Sequence, residues 1–332
     1  MVTDTGGIDD RSFNASSWQG VKNAETASIT GTYLQSTTQA SYVPNINAFI
    51  QKKCGLIITV GFLMGTDTQN AAKANPHQKF AIVDYAPPPA YANLQYLVFD
   101  TVQDAFLGGY LAAAMSKTGV VATFGGIQLP TVTIYMDGFY DGVQYYNTQK
   151  HKNVQVLGWN ESTQKGSFTG DFTNQQKGES LTSTFISEKA DVIFPVAGNV
   201  GLGAAAAVQK ADQSGGTVNM EWVDTDGCIS APQYCKYFLT SVEKGIASAV
   251  KASIVSAAAG TFKGGNYIGT LKNGGAVLAP YHDFSNVIPG SVQTEITTLA
   301  QGIIAGTIST PTKAPVCYPT GSAPIHGLPP CG

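Results

Sequence analysis

Short apolar runs separated by helix-like stretches recur along nearly the whole chain, and this alternation limits the fold more than any other feature. Strand-like runs cover 29–34, 56–60, 80–84 and 94–99, with helix-like stretches at 45–53 and 66–74 among them. After a helix predicted over 104–116, a second set follows: strands at 119–124, 154–159, 192–196 and 218–223, and helices at 132–146, 174–188 and 201–213. A long Ala- and Ser-rich helix is expected over 242–259, then short strands near 266–271 and 276–278 and a last helix over 291–305. This is the rhythm of a parallel, doubly wound sheet with helices on both faces. No repeat of about 20–50 residues is present, which excludes a solenoid.

The 332 residues suffice for two lobes with a buried core each. A hydrophobic share of 43% and a mean hydropathy of 0.00 are those of a soluble globular protein. The net charge of −3 and pI near 5.8 argue against a nucleic-acid partner, which favours a basic surface. Charged residues make up 12%, about half the usual share, while Thr, Ser, Gln, Asn and Gly abound, which suits an extracytoplasmic surface. No apolar run reaches the roughly 18–20 residues that span a membrane. The chain starts within a few residues of its first strand, so an exported protein would be represented here by its trimmed mature form.

Five cysteines are present, Cys54, Cys228, Cys235, Cys317 and Cys331, and none forms a CxxC pair, which argues against a zinc ribbon or thioredoxin motif. Cys54 is expected as a buried free thiol near a core strand. Cys228/Cys235 and Cys317/Cys331 each flank a short loop and are expected to form two local disulfides, the second stapling a surface tail over 310–332 that carries six prolines.

Much familiar chemistry is missing. There is no GxxxxGK[ST] phosphate loop and no GxSxG elbow. His77, His151, His282 and His326 are scattered, with no HExxH, so no metal ligand is expected. Lys117-Thr-Gly119 and Ser241-Val-Glu-Lys244 match KTG and SxxK, but in reversed order for a penicilloyl serine transferase and with no SDN between them. Gly198-Asn-Val-Gly-Leu-Gly203 follows a strand and opens a helix, but its spacing is GxxGxG rather than the dinucleotide-binding GxGxxG.

The first 21 residues are the most informative stretch. They read as the tail of a strand (Val2, Thr3), a glycine turn (Gly6, Gly7) and a helix capped by Asp10 or Ser12, with Phe13, Trp18 and Val21 at helical spacing. Open α/β sheets place ligands where a strand runs through glycines into a helix N-terminus, because free N–H groups point into the crevice. Asp4, Asp9, Asp10 and Asn14 gather there beside Phe13.

This segment, VTDTGGIDDRSFNASSWQGV, resembles the opening signature of the basic membrane protein family of solute receptors, the purine nucleoside receptor group of ABC importers. Further family-like segments extend the resemblance over about residues 1–310. It implies a type I periplasmic-binding fold: two doubly wound, Rossmann-like α/β lobes with an interlobe ligand cleft. The chain would cross between lobes near 99–104, 224–230 and 261–264. One lobe would comprise 1–103 and 229–262, the other 104–228 and 263–285, with a terminal helix over 286–309 packed on them.

The resemblance also implies a ligand whose base is sandwiched by two aromatics and whose sugar is held by carboxylate and lysine. Carried over residue by residue, Phe13 of Ser12-Phe13-Asn14 is one stacking face. The second lies in GSFTGDFTNQQKG at 166–178, where Phe168 and Phe172 both qualify and counting back from Lys177-Gly178 favours Phe172. A stacked aromatic contributes about 1–3 kcal/mol per base. Asp4 is the base-edge acceptor, selecting rings that present N–H groups, with Asn14 a second base contact and Asp84 at the end of its strand. Glu221-Trp-Val-Asp-Thr-Asp226 resembles the family's VDxD strand end, giving Asp224 as ribose acceptor and Asp226 as the second choice. Thr240-Ser-Val-Glu-Lys244 resembles the TSVxK segment, whose lysine, Lys244, donates to the sugar. Gly198 adds backbone contacts.

The expectation is a non-enzymatic, extracytoplasmic receptor that binds adenosine, inosine or guanosine and presents it to ABC permease subunits. It would be monomeric, lipid-anchored in its precursor, and without cofactor, metal or nucleic acid. A free purine base or a flavin is the alternative within this class. From other classes, a nucleoside hydrolase built on Asp4, Asp9 and Asp10 lacks a matching His acid nearby, and a sugar-regulator core lacks a helix-turn-helix before its first strand.

Overall fold

The computed structural model describes residues 1–314. In chain order the elements are α1 (Phe13–Ala24), α2 (Tyr42–Gln51), β1 (Ile57–Val60), α3 (Gly65–Ala74), β2 (Phe80–Val83), β3 (Leu94–Phe99) and α4 (Val102–Met115). Then come β4 (Val120–Gly125), α5 (Pro130–Lys150), β5 (Gln155–Leu157), β6 (Trp159–Asn160), β7 (Lys165–Gly166), α6 (Gln175–Ser187), β8 (Val192–Val196) and α7 (Val200–Gln213). The remainder is β9 (Asn219–Asp224), α8 (Gly227–Ser230), β10 (Phe238–Lys244), α9 (Ile246–Ala258), β11 (Gly265–Gly269), β12 (Ala276–Leu278) and α10 (Gly290–Ala305). Among the described residues two units result: 1–99 with 245–269, and 100–244 with 270–314.

In the first unit the parallel sheet has the order β1-β2-β3-β11. Val2 bridges Thr59 on one side and Leu34 on the other, both parallel. The chain therefore leaves Val2 toward one side through α1 and comes back to the other through α2, which makes the end of Val2 a topological switch point. The run at 29–34 contributes only its last residue to the sheet. Thr32 O accepts from the Met1 ammonium (2.8 Å), but nearer its start the run bonds locally: Thr26 and Ile29 exchange N–H···O bonds, and Gly31 N donates to Glu25 Oε1. Strands β1 and β2 are buried throughout, as expected of strands covered on both faces. α2 and α3 pack on one face, α1 and α9 on the other.

The sheet of the second unit has the order β12-β10-β9-β8-β4-β5, parallel except for β12 against β10. β4 lies between β5 and β8, so the direction of winding reverses at its carboxyl end. α4, α5 and α10 cover one face, α6 and α7 the other. α4 and α5 pack backbone against backbone: a Cβ on Gly109 would stand 1.9 Å from Phe139 O, and one on Gly142 2.0 Å from Phe106 O.

Three sequence expectations need correction here. Residues 238–244 form a strand paired with β9 and β12, and the helix starts only at Ile246, not at 242. The segment 229–244 accordingly belongs to the second unit, where the sequence reading gave it to the first. Thr240 and Ser241 hid the strand by interrupting its apolar run. In the fold their hydroxyls have partners, Thr240 Oγ1 donating to Ala279 O (2.8 Å) and Ser241 Oγ accepting from Gly227 N (2.9 Å). Finally, residues 310–314, expected as the start of a surface tail, are pinned to the second unit. Asp137, fully buried, accepts from Thr312 Oγ1 (2.8 Å), Lys313 N (2.8 Å), Ala314 N (2.9 Å), Trp159 Nε1 (2.9 Å) and Gln164 Nε2 (2.7 Å).

Cys228 and Cys235 are joined, while Cys54 is free and half-buried; Cys317 and Cys331 lie outside the described residues. No helix among the described residues is long and apolar enough to cross a membrane.

Two measurements test this packing. Asp137→Ala removes an acceptor shared by five donors, of which Gln164 Nε2 and Ala314 N keep a second partner, at a cost of about 1–3 kcal/mol for each donor left dry, so its urea midpoint should fall well below that of wild type; an unchanged midpoint refutes the clamp. Glu221 is fully buried against α4 at Gly108, and neither carboxylate oxygen has a hydrogen-bond partner. Burial pushes its carboxyl from 4.5 up to about 8. The folded state thus holds a proton that the unfolded state releases, and stability falls as pH rises through that window. Glu221→Gln should melt like wild type near pH 5 and above it at pH 8, by on the order of a few kcal/mol; parallel pH profiles for the two proteins contradict the assignment.

Candidate functional site

In the first unit Asp10 anchors the start of α1. Its carboxylate accepts from Ser12 N (3.0 Å), Asn14 N (2.8 Å) and Ala15 N (3.0 Å), so Asp10, not the Ser12 side chain, caps the helix. Asn14 Nδ2 then donates to Asp4 Oδ1 (2.9 Å) and Asp10 Oδ2 (3.2 Å), tying the strand end to the helix. Asn14 Oδ1 is buried without a hydrogen-bond partner. Asp4 also accepts from Gly6 N (3.2 Å). Its other oxygen lies against Gly61, where a Cβ would come within 2.4 Å and where φ is +113°, so only glycine fits.

Burial raises the Asp4 carboxyl, opposed by its bonds to Asn14 and Gly6. Burial likewise lifts Asp10 to about 7 against its three backbone donors, with the Asp4 charge adding to the rise. Asp84 directly follows β2, is 4% exposed and adopts the left-handed φ of +65°. Val60 pairs with Val83, so Gly61 and Asp84 end adjacent strands. Asp4, Gly61 and Asp84 thus line up along the carboxyl ends of neighbouring strands. Phe13, the first residue of α1, is half-buried and packs on the cluster around Val21 and Ile246. Asp9 is exposed.

In the second unit the switch point is Gly125-Gly126. Gly125 N donates to Ser167 O, Thr169 N to Gly125 O, Gly170 N to Gly126 O and Gly126 N to Val196 O, which lays the 167–170 segment along the end of β4. The two phenylalanines of that segment part here. Phe168 covers Gly125 and stands edge-on to Trp159, with 6.1 Å between ring centres. Phe172 covers Gly126 and lies beside Gly198, which has φ +53° just ahead of α7. The structure brings Phe172 and Gly198 together and places Phe168 with Trp159.

Asp224 closes β9 with φ +67°, the counterpart of Asp84 in the other unit, and Lys244 closes the neighbouring strand β10. Lys244 Nζ stands 3.7 Å from Asp224 Oδ1 and 5.0 Å above the ring of Tyr135, whose hydroxyl donates to Asp224 Oδ1 at 3.0 Å. Both charged side chains are under 10% exposed. At an effective dielectric constant of about 20, the attraction over this distance is about 4 kcal/mol, which desolvation of several kcal/mol per ion offsets. The pair is therefore a poor source of stability and a well-fixed pattern of opposite charge. Tyr135 escaped the sequence reading, since a tyrosine at helical spacing in α5 has no mark that separates it from core. Asp226, the second choice for ribose, is engaged elsewhere: its carboxylate accepts from Cys228 N (2.9 Å) and lies 2.7 Å from His282 Nε2.

The sequence matches the family described as ABC transporter substrate-binding protein PnrA-like (Bmp) over residues 1–314. The CD4+ T-cell-stimulating antigen of Listeria monocytogenes is 31% identical, over 94% of this chain and 87% of that protein. The ABC transporter nucleoside-binding protein BmpA of Lactococcus lactis is 28% identical, over 94% and 88%. Among solved structures, an ABC transporter solute-binding protein of Aeropyrum pernix K1 superposes with a TM-score of 0.84 at 23% identity, covering 93% of this chain and 91% of the other. Members of this family are substrate-binding proteins rather than enzymes, which removes the nucleoside hydrolase reading. The α/β architecture agrees with that of solute-binding proteins, and the chain belongs to the Bmp family of ABC transporter substrate-binding proteins.

Proposed function

We propose that this substrate-binding protein takes a purine nucleoside, with Phe13 and Phe172 stacking on the base, Asp4 and Asn14 reading its edge, and Asp224 and Lys244 gripping the ribose. The arrangement of Asp224, Tyr135 and Lys244 carries the reading. An acceptor and a cationic donor fixed side by side match a vicinal diol, which can donate to one and accept from the other. The Lactococcus relative, named as nucleoside-binding, supports the same ligand class. Asp84 and Gly198 extend the polar lining at their strand ends. The protein works outside the cytoplasm and hands its ligand to permease subunits in the membrane.

Calorimetry with adenosine, inosine and guanosine against their 2′,3′-dideoxy forms tests the ribose grip. Loss of the hydroxyls removes their hydrogen bonds to charged groups, about 1–3 kcal/mol, so the dideoxy forms should bind roughly 5- to 150-fold more weakly. Asp224→Asn and Lys244→Met should erase that difference. Equal affinities in the wild-type protein would discard the ribose assignment. Phe172→Ala should weaken every purine ligand by about 1–3 kcal/mol while Phe168→Ala leaves affinity near wild type; the opposite outcome would move the stacking role to Phe168.

A further inference from the structure

The loop after β9 holds a cluster that the nucleoside reading does not use. Asp226, Cys228 and His282 each offer one ligand atom, and the carboxylate oxygen, the sulfur and the ring nitrogen all lie within 4.8 Å of one another. Cys235, bonded to Cys228, brings a second sulfur to the same place. Two sulfurs, an imidazole and a carboxylate form the donor set of a closed, tetrahedral zinc-type site. Around such an ion, sulfur at about 2.3 Å and nitrogen or oxygen at about 2.0–2.2 Å stand roughly 3.3–3.8 Å apart. The atoms of Asp226, Cys228 and His282 need to close by only about 1 Å or so to reach that spacing.

In the oxidised protein the disulfide withholds this site. A metal is bound by thiolate, and a sulfur in an S–S bond has no such charge to offer. The two remaining groups, Asp226 and His282, already face each other at 2.7 Å.

We propose that the 226–235 loop has two interchangeable staples: the Cys228–Cys235 bond when oxidised, and a zinc-class divalent cation held by Asp226, Cys228, Cys235 and His282 when a dithiol reductant has opened that bond. The dithiol gives up two electrons and two protons and becomes a cyclic disulfide; the S–S bond breaks and each cysteine sulfur gains one proton. Binding of the cation then releases those two protons to solvent as both sulfurs become thiolates. His282 ligates through Nε2 with its remaining proton on Nδ1, so Nε2 and the facing Asp226 oxygen exchange their mutual contact for the ion. The sulfurs part to about 3.8 Å by rotation of their side chains. All four residues belong to the second unit, and the proposal stands independently of which solute the protein carries.

Cobalt(II) is the probe. The full chain carrying Cys54→Ser, Cys317→Ser and Cys331→Ser is reduced with dithiothreitol, desalted without air and titrated with cobalt(II) chloride, beside the oxidised form. The expected result is one equivalent bound by the reduced protein, with a thiolate-to-cobalt charge-transfer band and the intense visible bands of tetrahedral cobalt, bleached by zinc, and neither band in the oxidised protein. His282→Gln and Asp226→Asn should each weaken binding at least tenfold while the circular dichroism of the reduced protein is kept. Absence of the thiolate band on reduction, or unchanged affinity in both variants, overturns the proposal. So does a reduced protein that unfolds and does not refold with cobalt.

Discussion

Buried carboxylates at the carboxyl ends of parallel strands are the condition around which both units are built. An acid out of water costs several kcal/mol unless hydrogen bonds or an opposite charge compensate it. Each unit meets that cost with its own local device. Asp4 is held by Asn14 and the Gly6 amide, and Asn14 in turn depends on the Asp10 cap that starts α1. Asp224 is held by the Tyr135 hydroxyl and the Lys244 ammonium, which enter from α5 and β10. Gly61 follows from the same condition, because the Asp4 carboxylate lies too close to the backbone there to admit a Cβ. Sheet order completes the arrangement: winding reverses at Val2 and at β4, where Asp4, Phe172 and Gly198 gather, while Asp84, Asp224 and Lys244 stand at strand ends farther along the same sheets.

Much of this was legible in the chain. The predicted runs at 94–99, 192–196 and 276–278 are β3, β8 and β12 to the residue, because apolar stretches bounded by turn residues carry a strong signal. Strand β10 was not legible. It sits between β9 and β12, yet it contains a threonine, a serine, a glutamate and a lysine. Its hydroxyls are satisfied by Ala279 and Gly227, contacts from segments 14 or more residues away that periodicity cannot register. The run at 29–34 failed for the opposite reason, since local bonds to Thr26 and Glu25 engage Ile29 and Gly31 at its start. Most of the site residues came from the wording of the opening motif and three later segments, and Tyr135, which belongs to none of these, was invisible.

The end of β9 shows how closely different tasks can be placed. Asp224 and Asp226 are two residues apart, and the sequence treats them as near equivalents. Asp224 turns toward Tyr135 and Lys244, whereas Asp226 caps α8 and faces His282 on the side of the Cys228–Cys235 bond. The separation arises from backbone direction: the left-handed residue at Asp224 ends the extended chain and sends the next residues off on a new course. One acid is then free to define a charge pattern with lysine while the other helps order the loop that follows.

That left-handed geometry at Asp84 and Asp224 limits how these positions can be probed. Aspartate and asparagine enter this conformation readily, whereas alanine does so with strain and β-branched residues scarcely at all. Truncation to alanine would therefore perturb the main chain and the carboxylate together, and the two effects would be reported as one number. Asparagine keeps the turn and removes only the ionisable group. Library screens that sample these two sites without that distinction will score a folding defect as a recognition defect.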